Sequence, residues 1–289
     1  MVSTATALDH WGSAHGGGIE GADSGFDIEG AVTLGASVYN PSYAARPDNT
    51  GLALARYALH ADIDLIGRRL SVPVDINLFT DRQRKGFKKL GPTELDVISG
   101  LTTTWRLGPG AIELGSRVEH DGPVDQGSFS QTYVDARARY LYSLASVIPS
   151  VGDALGEGDI SGWLTVGVFA VNPTYAARPD NTGLGLMRYA AHSELSLWKD
   201  RVSIGLDATF FSDRKRSGAA KLSPTEIDFT PEIIGRVAPY ELHLAYERDM
   251  PIDRSGLVQS FVYVLFVYGF DLIHNEPPPL ELRHPIPSP

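Results

Sequence analysis

Leu52–Leu65 reads LALARYALHADIDL and Leu184–Leu197 reads LGLMRYAAHSELSL, and the two stretches align without a gap at an offset of 132 (184 − 52). At the even positions of the first stretch Leu52, Leu54, Arg56, Ala58 and His60 return unchanged as Leu184, Leu186, Arg188, Ala190 and His192. At the odd positions only Tyr57 and Leu65 do; Ala53, Ala55, Leu59, Ala61 and Ile63 become Gly185, Met187, Ala191, Ser193 and Leu195. Successive side chains of a β-strand point to opposite faces. The stretch therefore reads as a strand with one face specified residue by residue and the other required only to stay small or apolar.

The agreement extends outward. Asn40–Gly51 (NPSYAARPDNTG) and Asn172–Gly183 (NPTYAARPDNTG) differ only at Ser42 and Thr174. Asp75, Asp81, Lys89, Glu94 and Asp96 recur as Asp207, Asp213, Lys221, Glu226 and Asp228; beyond them the offset falls to 128 (247 − 119), with Glu119, Asp121, Pro123, Asp125 and Gln131 returning as Glu247, Asp249, Pro251, Asp253 and Gln259. One unit thus occurs twice. Period-two alternation with β-branched and aromatic enrichment predicts strands over 25–38, 51–66, 70–80, 93–105, 111–119 and 129–143 in the first copy. In the second it predicts them over 161–171, 183–197, 201–212, 225–235, 240–247 and 256–271. The expected organisation is a Gly-rich N-terminal segment over 1–24, one β-barrel over 25–271 built from repeats 25–145 and 160–271, and a Pro-rich tail over 272–289.

Long connections (around 40–50, 81–92 and 120–128 in the first copy) alternate with short ones (67–69 and 107–110). In an up-and-down meander all long links then share one end. In the third strand Ser71, Asp75 and Phe79 are retained on one face, while Val72, Val74, Ile76 and Leu78 become Ile204, Leu206, Ala208 and Phe210 on the other. A soluble barrel turns its apolar face inward; a membrane barrel turns it toward lipid and keeps charges in the lumen. Retention of Arg, His and Asp on the specified face favours the second arrangement. So does the placement of Lys85, Lys88, Lys89, Lys199, Lys215 and Lys221, all in connections.

With these alternating segments, ALARYALHADIDL among them, and with Trp105, Tyr140 and Tyr142 near strand ends, the chain resembles bacterial outer-membrane β-barrel proteins of porin-like form. The resemblance implies an all-β transmembrane antiparallel barrel of about twelve strands, an outer-membrane location, periplasmic termini and turns, and longer external loops. Two features depart from it: such barrels end on an aromatic residue of the last strand, whereas Phe270 is followed by HNEPPPLELRHPIPSP, and the last strand is apolar on both faces. Either an apolar cover for its inner face, such as the segment around Trp11 or a partner, or local packing within the wall accounts for the second.

A net charge of −10 and a pI near 5.2 argue against a nucleic-acid partner, since phosphate neutralisation needs a basic face. Cysteine is absent, which removes disulfide and thiolate–metal chemistry. No apolar run approaches the ~18 residues of a spanning helix. Ala5-Thr6-Ala7 has the small-residue form of a signal-peptidase site.

Strand parity predicts a lumen lined by Arg56, His60, Asp62, Asp64, Asp75, Asn77, Glu94, Asp96, Glu113, Arg117, Asp135, Arg137 and Arg139, and by Arg188, His192, Glu194, Asp207, Glu226, Asp228, Glu241, His243 and Glu247. Such a lining either selects small polar solutes by charge or forms a paired plug. At the mouth, Arg46, Asp48 and Asn49 with Arg178, Asp180 and Asn181 form either a constriction or simply structured turns. The basic loops bearing Arg82, Arg84 and Lys85, then Arg214, Lys215 and Arg216, either attract anionic solutes or lipopolysaccharide phosphates or are simply solvated loops.

No metal or cofactor is expected. The anticipated partners are outer-membrane lipid, including lipopolysaccharide, a small polar solute and an envelope protein. His15-Gly16-Gly17-Gly18 has no G-x-S-x-G turn to complete an esterase site. Enzymatic activity is not expected, with a phospholipase-like lipid-facing pair such as Ser193 beside His192 kept as a minor alternative. Three readings stay open: a channel or binding pore for small polar solutes, a plugged structural or partner-binding barrel, and a soluble pair of six-stranded lipid-binding domains.

Overall fold

The computed structural model describes residues 27–39, 54–66, 69–81, 84–124, 130–143, 159–171, 185–198, 201–213, 216–252 and 258–273. The strands are β1 (Asp27–Tyr39), β2 (Ala55–Asp64), β3 (Leu70–Thr80), β4 (Pro92–Leu107), β5 (Gly110–Pro123), β6 (Gln131–Ser143), β7 (Asp159–Val171), β8 (Gly185–Leu197), β9 (Val202–Asp213), β10 (Pro224–Val237), β11 (Tyr240–Pro251) and β12 (Gln259–Ile273). Each pairs antiparallel with its neighbours in sequence, and β1 closes on β12 from Ile28↔Ile273 to Tyr39↔Val262. The result is a single closed barrel. It overturns the reading of two six-stranded domains, because β6 and β7 pair across the junction between the copies, from Val134↔Val171 to Ser143↔Ser161.

Several strands run longer than the sequence expects. His120-Asp121-Gly122-Pro123 has turn-forming composition, yet it extends β5 in register with Glu94–Val97 of β4. Pro123 is the strand's last residue, where a missing N–H breaks no ladder. Short turns close one end: Arg69 N donates to Ile66 O (2.8 Å) and Arg201 N to Trp198 O (3.2 Å). At the other end two 3-10 turns, Gly86–Leu90 and Gly218–Leu222, precede β4 and β10. Each opens on a glycine at positive φ, 58° for Gly86 and 56° for Gly218, which L side chains seldom adopt.

The exposure of β11 decides the sidedness. Leu242, Leu244 and Tyr246 are 54%, 51% and 37% exposed, whereas His243, Ala245 and Glu247 between them are 4%, 2% and 2% exposed. Around the barrel Val32, Leu34, Leu59, Leu114, Leu164, Val166, Ile204, Leu206 and Ile233 face out in the same phase. Trp105, Trp198, Tyr240 and Tyr268 are exposed near the short-turn end. Near the long-loop end Tyr57 Oη donates to Leu90 O (3.1 Å), and Tyr189 Oη does the same to Leu222 O (2.9 Å). An apolar band between aromatic girdles is the exterior of a membrane-spanning barrel, and strands of 10 to 16 residues meet the ~9–11 a tilted strand needs to cross.

The inner face of β12 is covered by its own wall. Leu265 and Val267 cluster with Ala31 and with Tyr263, and Gly35 makes room for them: a Cβ there would stand 2.6 Å from Leu265 Cδ2. Trp11, the tail over 277–289, and the site residues Arg46, Asp48, Asn49, Arg178, Asp180, Asn181, Arg82, Arg214 and Lys215 lie outside the described residues.

Leu244→Arg should cost about 2–4 kcal/mol of folding into a bilayer, the range for a basic residue at mid-membrane on the lipid face, and Leu244→Phe should be near neutral. Denaturant titration in phospholipid vesicles reads both; an Arg variant as stable as wild type would contradict the sidedness.

Candidate functional site

The lumen is built by register. Every described residue that parity assigned to the interior points inward, and most of them are buried. Most of them meet in four clusters.

On β2 and β3, Arg56 donates through Nε and Nη2 to Asn77 Oδ1 (3.2 and 2.7 Å) and stands over the Phe79 ring at 5.8 Å. His60 bridges two carboxylates, Asp75 at 2.6 Å from Nδ1 and Asp62 at 3.0 Å from Nε2. On β5 and β6 Arg117 donates twice to Asp135 Oδ2 (3.0 and 2.8 Å). Arg137 and Arg139 both lie 3.7 Å from Glu113. On β6 to β9 the Arg139 guanidinium sits 4.5 Å from the Trp163 ring centre, Trp163 stacks on His192 at 5.8 Å, and His192 Nδ1 meets Asp207 at 3.1 Å.

The fourth cluster spans β8 to β11. Arg236 reaches Glu194 Oε1 (2.8 Å) and Glu241 Oε1 (3.0 Å) and also bonds Ser203. His243 contacts Glu232 (3.2 Å) and Glu241 (2.9 Å). Gly205 of β9 makes room for Glu232: a Cβ there would lie 2.7 Å from Glu232 Cγ and 2.8 Å from its Oε1. A side chain at that position would displace the glutamate.

Toward the long-loop end the lining turns acidic. Asp96 pairs directly with Asp121 across β4 and β5, and Asp228 with Asp249 across β10 and β11. Glu94 and Glu119 flank the first pair, Glu226 and Glu247 the second, and these two walls stand six strands apart on opposite sides of the ring. Asp96, Glu119 and Asp121 bring one oxygen each within 4.8 Å of one another, the one such grouping among the described residues. That is three of the 6–8 oxygens a calcium ion takes, and the grouping counts here as part of a negative mouth.

Parity left out several inward residues: Glu119, Asp121 and Asp249 near the mouth, and Glu232, Arg236 and Trp163 deeper in. The offset of 128 had already paired Glu119 with Glu247 and Asp121 with Asp249, so the signal existed but was hidden by the turn-like composition around Gly122. Glu232 and Arg236 share the even phase of Glu226 and Asp228; Pro231, facing outward in β10, masks the continuity. Ser193 does not join His192, since neighbours in a strand face opposite sides and only His192 points inward. Arg84, Lys85 and Arg216 sit at the rim beside the 3-10 turns.

No protein-family model and no curated protein matches the chain. Solved structures do share its architecture. LpxR from Salmonella typhimurium is 12% identical with a TM-score of 0.48, over 84% of this chain and 100% of that one. An outer membrane channel from Pseudomonas putida F1 is 14% identical with a TM-score of 0.44, over 88% and 98%. Outer membrane phospholipase A from Escherichia coli is 10% identical with a TM-score of 0.44, over 84% and 92%.

Arg236→Met should destabilise the barrel by about 3–5 kcal/mol, because it leaves Glu194 and Glu241 without their shared counter-charge inside the wall. Adding Glu194→Gln should recover part of that loss. Urea unfolding of the refolded barrel measures both, and an unchanged midpoint for the single variant would show that the bridge contributes nothing.

Proposed function

We propose that the chain is an outer-membrane β-barrel forming a narrow pore that favours small cationic and polar solutes. The observation that carries this reading is the doubled acidic mouth: Glu94, Asp96, Glu119 and Asp121 on one wall and Glu226, Asp228, Glu247 and Asp249 on the other. Rings of like-charged side chains select permeant ions by sign. Like charges placed directly opposite each other across strands are unfavourable, so their retention in both copies points to a negative field kept at a cost. Closed barrels and helices are the only structures that satisfy every backbone polar group in hydrocarbon, and the apolar exterior supports the membrane location.

The rim adds a lipid contact. Arg84, Lys85, Lys88 and Lys89 surround a 3-10 turn whose Phe87 is 94% exposed. Tyr57 holds that turn against the outer wall through Leu90. An aromatic tip with clustered basic residues suits the level of phosphate-bearing headgroups.

A second reading is favoured by the middle of the lumen, where Arg139 and Glu232 are 5% and 4% exposed. On this reading the paired network closes the barrel there, and conduction would require it to move. Twelve strands fall between the ~8 whose interior side chains fill and the ~16 that leave an aqueous channel.

Planar-bilayer recording separates the two. The pore reading expects discrete conductance steps, a reversal potential of cation-selective sign in a KCl gradient, and a shift of that potential toward zero in Glu94→Gln/Glu226→Gln. Anion selectivity would overturn the acidic-mouth argument, and silence at every voltage would establish the sealed barrel instead.

A further inference from the structure

The outward faces of β5 and β6 carry a group of side chains that the lumen does not use. His120 lies directly opposite Thr132 in the register. Its Nδ1 is 2.9 Å from Thr132 Oγ1, and its Nε2 is 3.3 Å from Ser130 Oγ. Both His120 and Ser130 are exposed. With the ring proton on Nδ1 and donated to Thr132, Nε2 accepts from the Ser130 hydroxyl. That is the order of nucleophile, base and orienting group that activates a serine.

Two further observations single the group out. Gly122 is the next outward position on β5, and a Cβ there would stand 3.6 Å from His120 Nε2 and 4.0 Å from Ser130 Oγ. Glycine therefore leaves that approach to the hydroxyl free of a side chain. In the second copy His120, Gly122, Ser130 and Thr132 correspond to Arg248, Met250, Val258 and Ser260. Base, nucleophile and gap are absent there together although the barrel wall is the same, so wall construction does not require them. The other histidines among the described residues, His60, His192 and His243, face inward and meet carboxylates.

We propose that Ser130, His120 and Thr132 form a lipid-facing esterase site that cleaves acyl esters of membrane lipids. The location sets the substrate class. Val118, one pleat below His120, is exposed in the apolar band, and the strand ends at Pro123, which puts the serine at the boundary where acyl chains meet headgroups. Ser130 Oγ attacks the ester carbonyl carbon while its proton passes to His120 Nε2. Collapse of the adduct breaks the bond to the lipid alkoxide, which takes that proton and leaves as an alcohol. A water then gives a proton to Nε2 and attacks the acyl-serine; the fatty acid departs and the proton returns to Ser130. Thr132 is a positioning residue that holds the ring with Nε2 toward the serine.

The full chain, refolded in mixed micelles, is treated with a fluorophosphonate and mapped by mass spectrometry, and assayed on a diacyl phospholipid and on p-nitrophenyl butyrate. The site expects label on Ser130, turnover of the phospholipid, loss of both in Ser130→Ala, and a fall of about 10²-fold or more in His120→Ala, the usual scale of a general base. Thr132→Val should lose activity and Thr132→Ser keep it, a pattern that a merely structural threonine would not give. Unlabelled Ser130 in a folded barrel, judged by heat-modifiable gel migration, or undiminished turnover in Ser130→Ala, overturns the site. Because the lipid substrate rests on the membrane reading, turnover of the soluble ester alone by a detergent-requiring barrel overturns the lipid assignment while leaving the membrane reading intact. Ser130→Ala should leave any bilayer conductance unchanged.

Discussion

Backbone N–H and C=O groups placed in hydrocarbon have no water to satisfy them, and each one left unpaired costs several kcal/mol. Closure of β1 on β12 leaves no free sheet edge among the described residues. Everything else follows from that ring. Once it is shut, the two-residue period of each strand decides what meets lipid and what meets the lumen. The lumen then receives arginines, histidines and carboxylates that must be matched to one another.

The matching is mostly local. His60 takes carboxylates from its own strand and the next, Arg117 takes Asp135 from the adjacent strand, and Arg236 crosses β9 at Ser203 to reach Glu194 of β8. Such pairs hold the wall in one register, because a one-residue slip would turn every charge toward lipid. The two copies share this scheme where His60–Asp75 and His192–Asp207 sit. They differ where Arg117, Asp135, Arg137 and Arg139 of the first copy correspond to Ala245, Tyr263, Leu265 and Val267 of the second. The barrel is thus lined by paired charges along β5 and β6 and apolar along β12. This asymmetry gives a transverse direction to a lumen whose mouth is otherwise doubled.

Much of the fold was legible because duplication separated the faces. Tyr57 and Leu65 were the two retained residues on the drifting face of β2, and the structure gives Tyr57 a reason: its hydroxyl anchors the rim turn at Leu90, as Tyr189 does at Leu222. Strand ends were less legible. Gly122 and Pro123 have the composition of a turn, yet cross-strand pairing with Glu94 and Leu95 overrides it. The inward set followed from parity where alternation was uninterrupted and missed Glu119 and Asp121 beside the turn-like Gly122, and Glu232 and Arg236 beside Pro231. The Ser130–His120 pair carried no sequence signal, since ten residues separate its members and only the β5–β6 register brings them together.

The most direct test of the account uses the absence of native cysteine. Single cysteines placed in turn at residues 242 to 247 of β11, spin-labelled in a bilayer, report contact with lipid through collision with oxygen. Strong lipid contact is expected at Leu242, Leu244 and Tyr246 and weak contact at His243, Ala245 and Glu247. A flat profile, or the opposite phase, would contradict it.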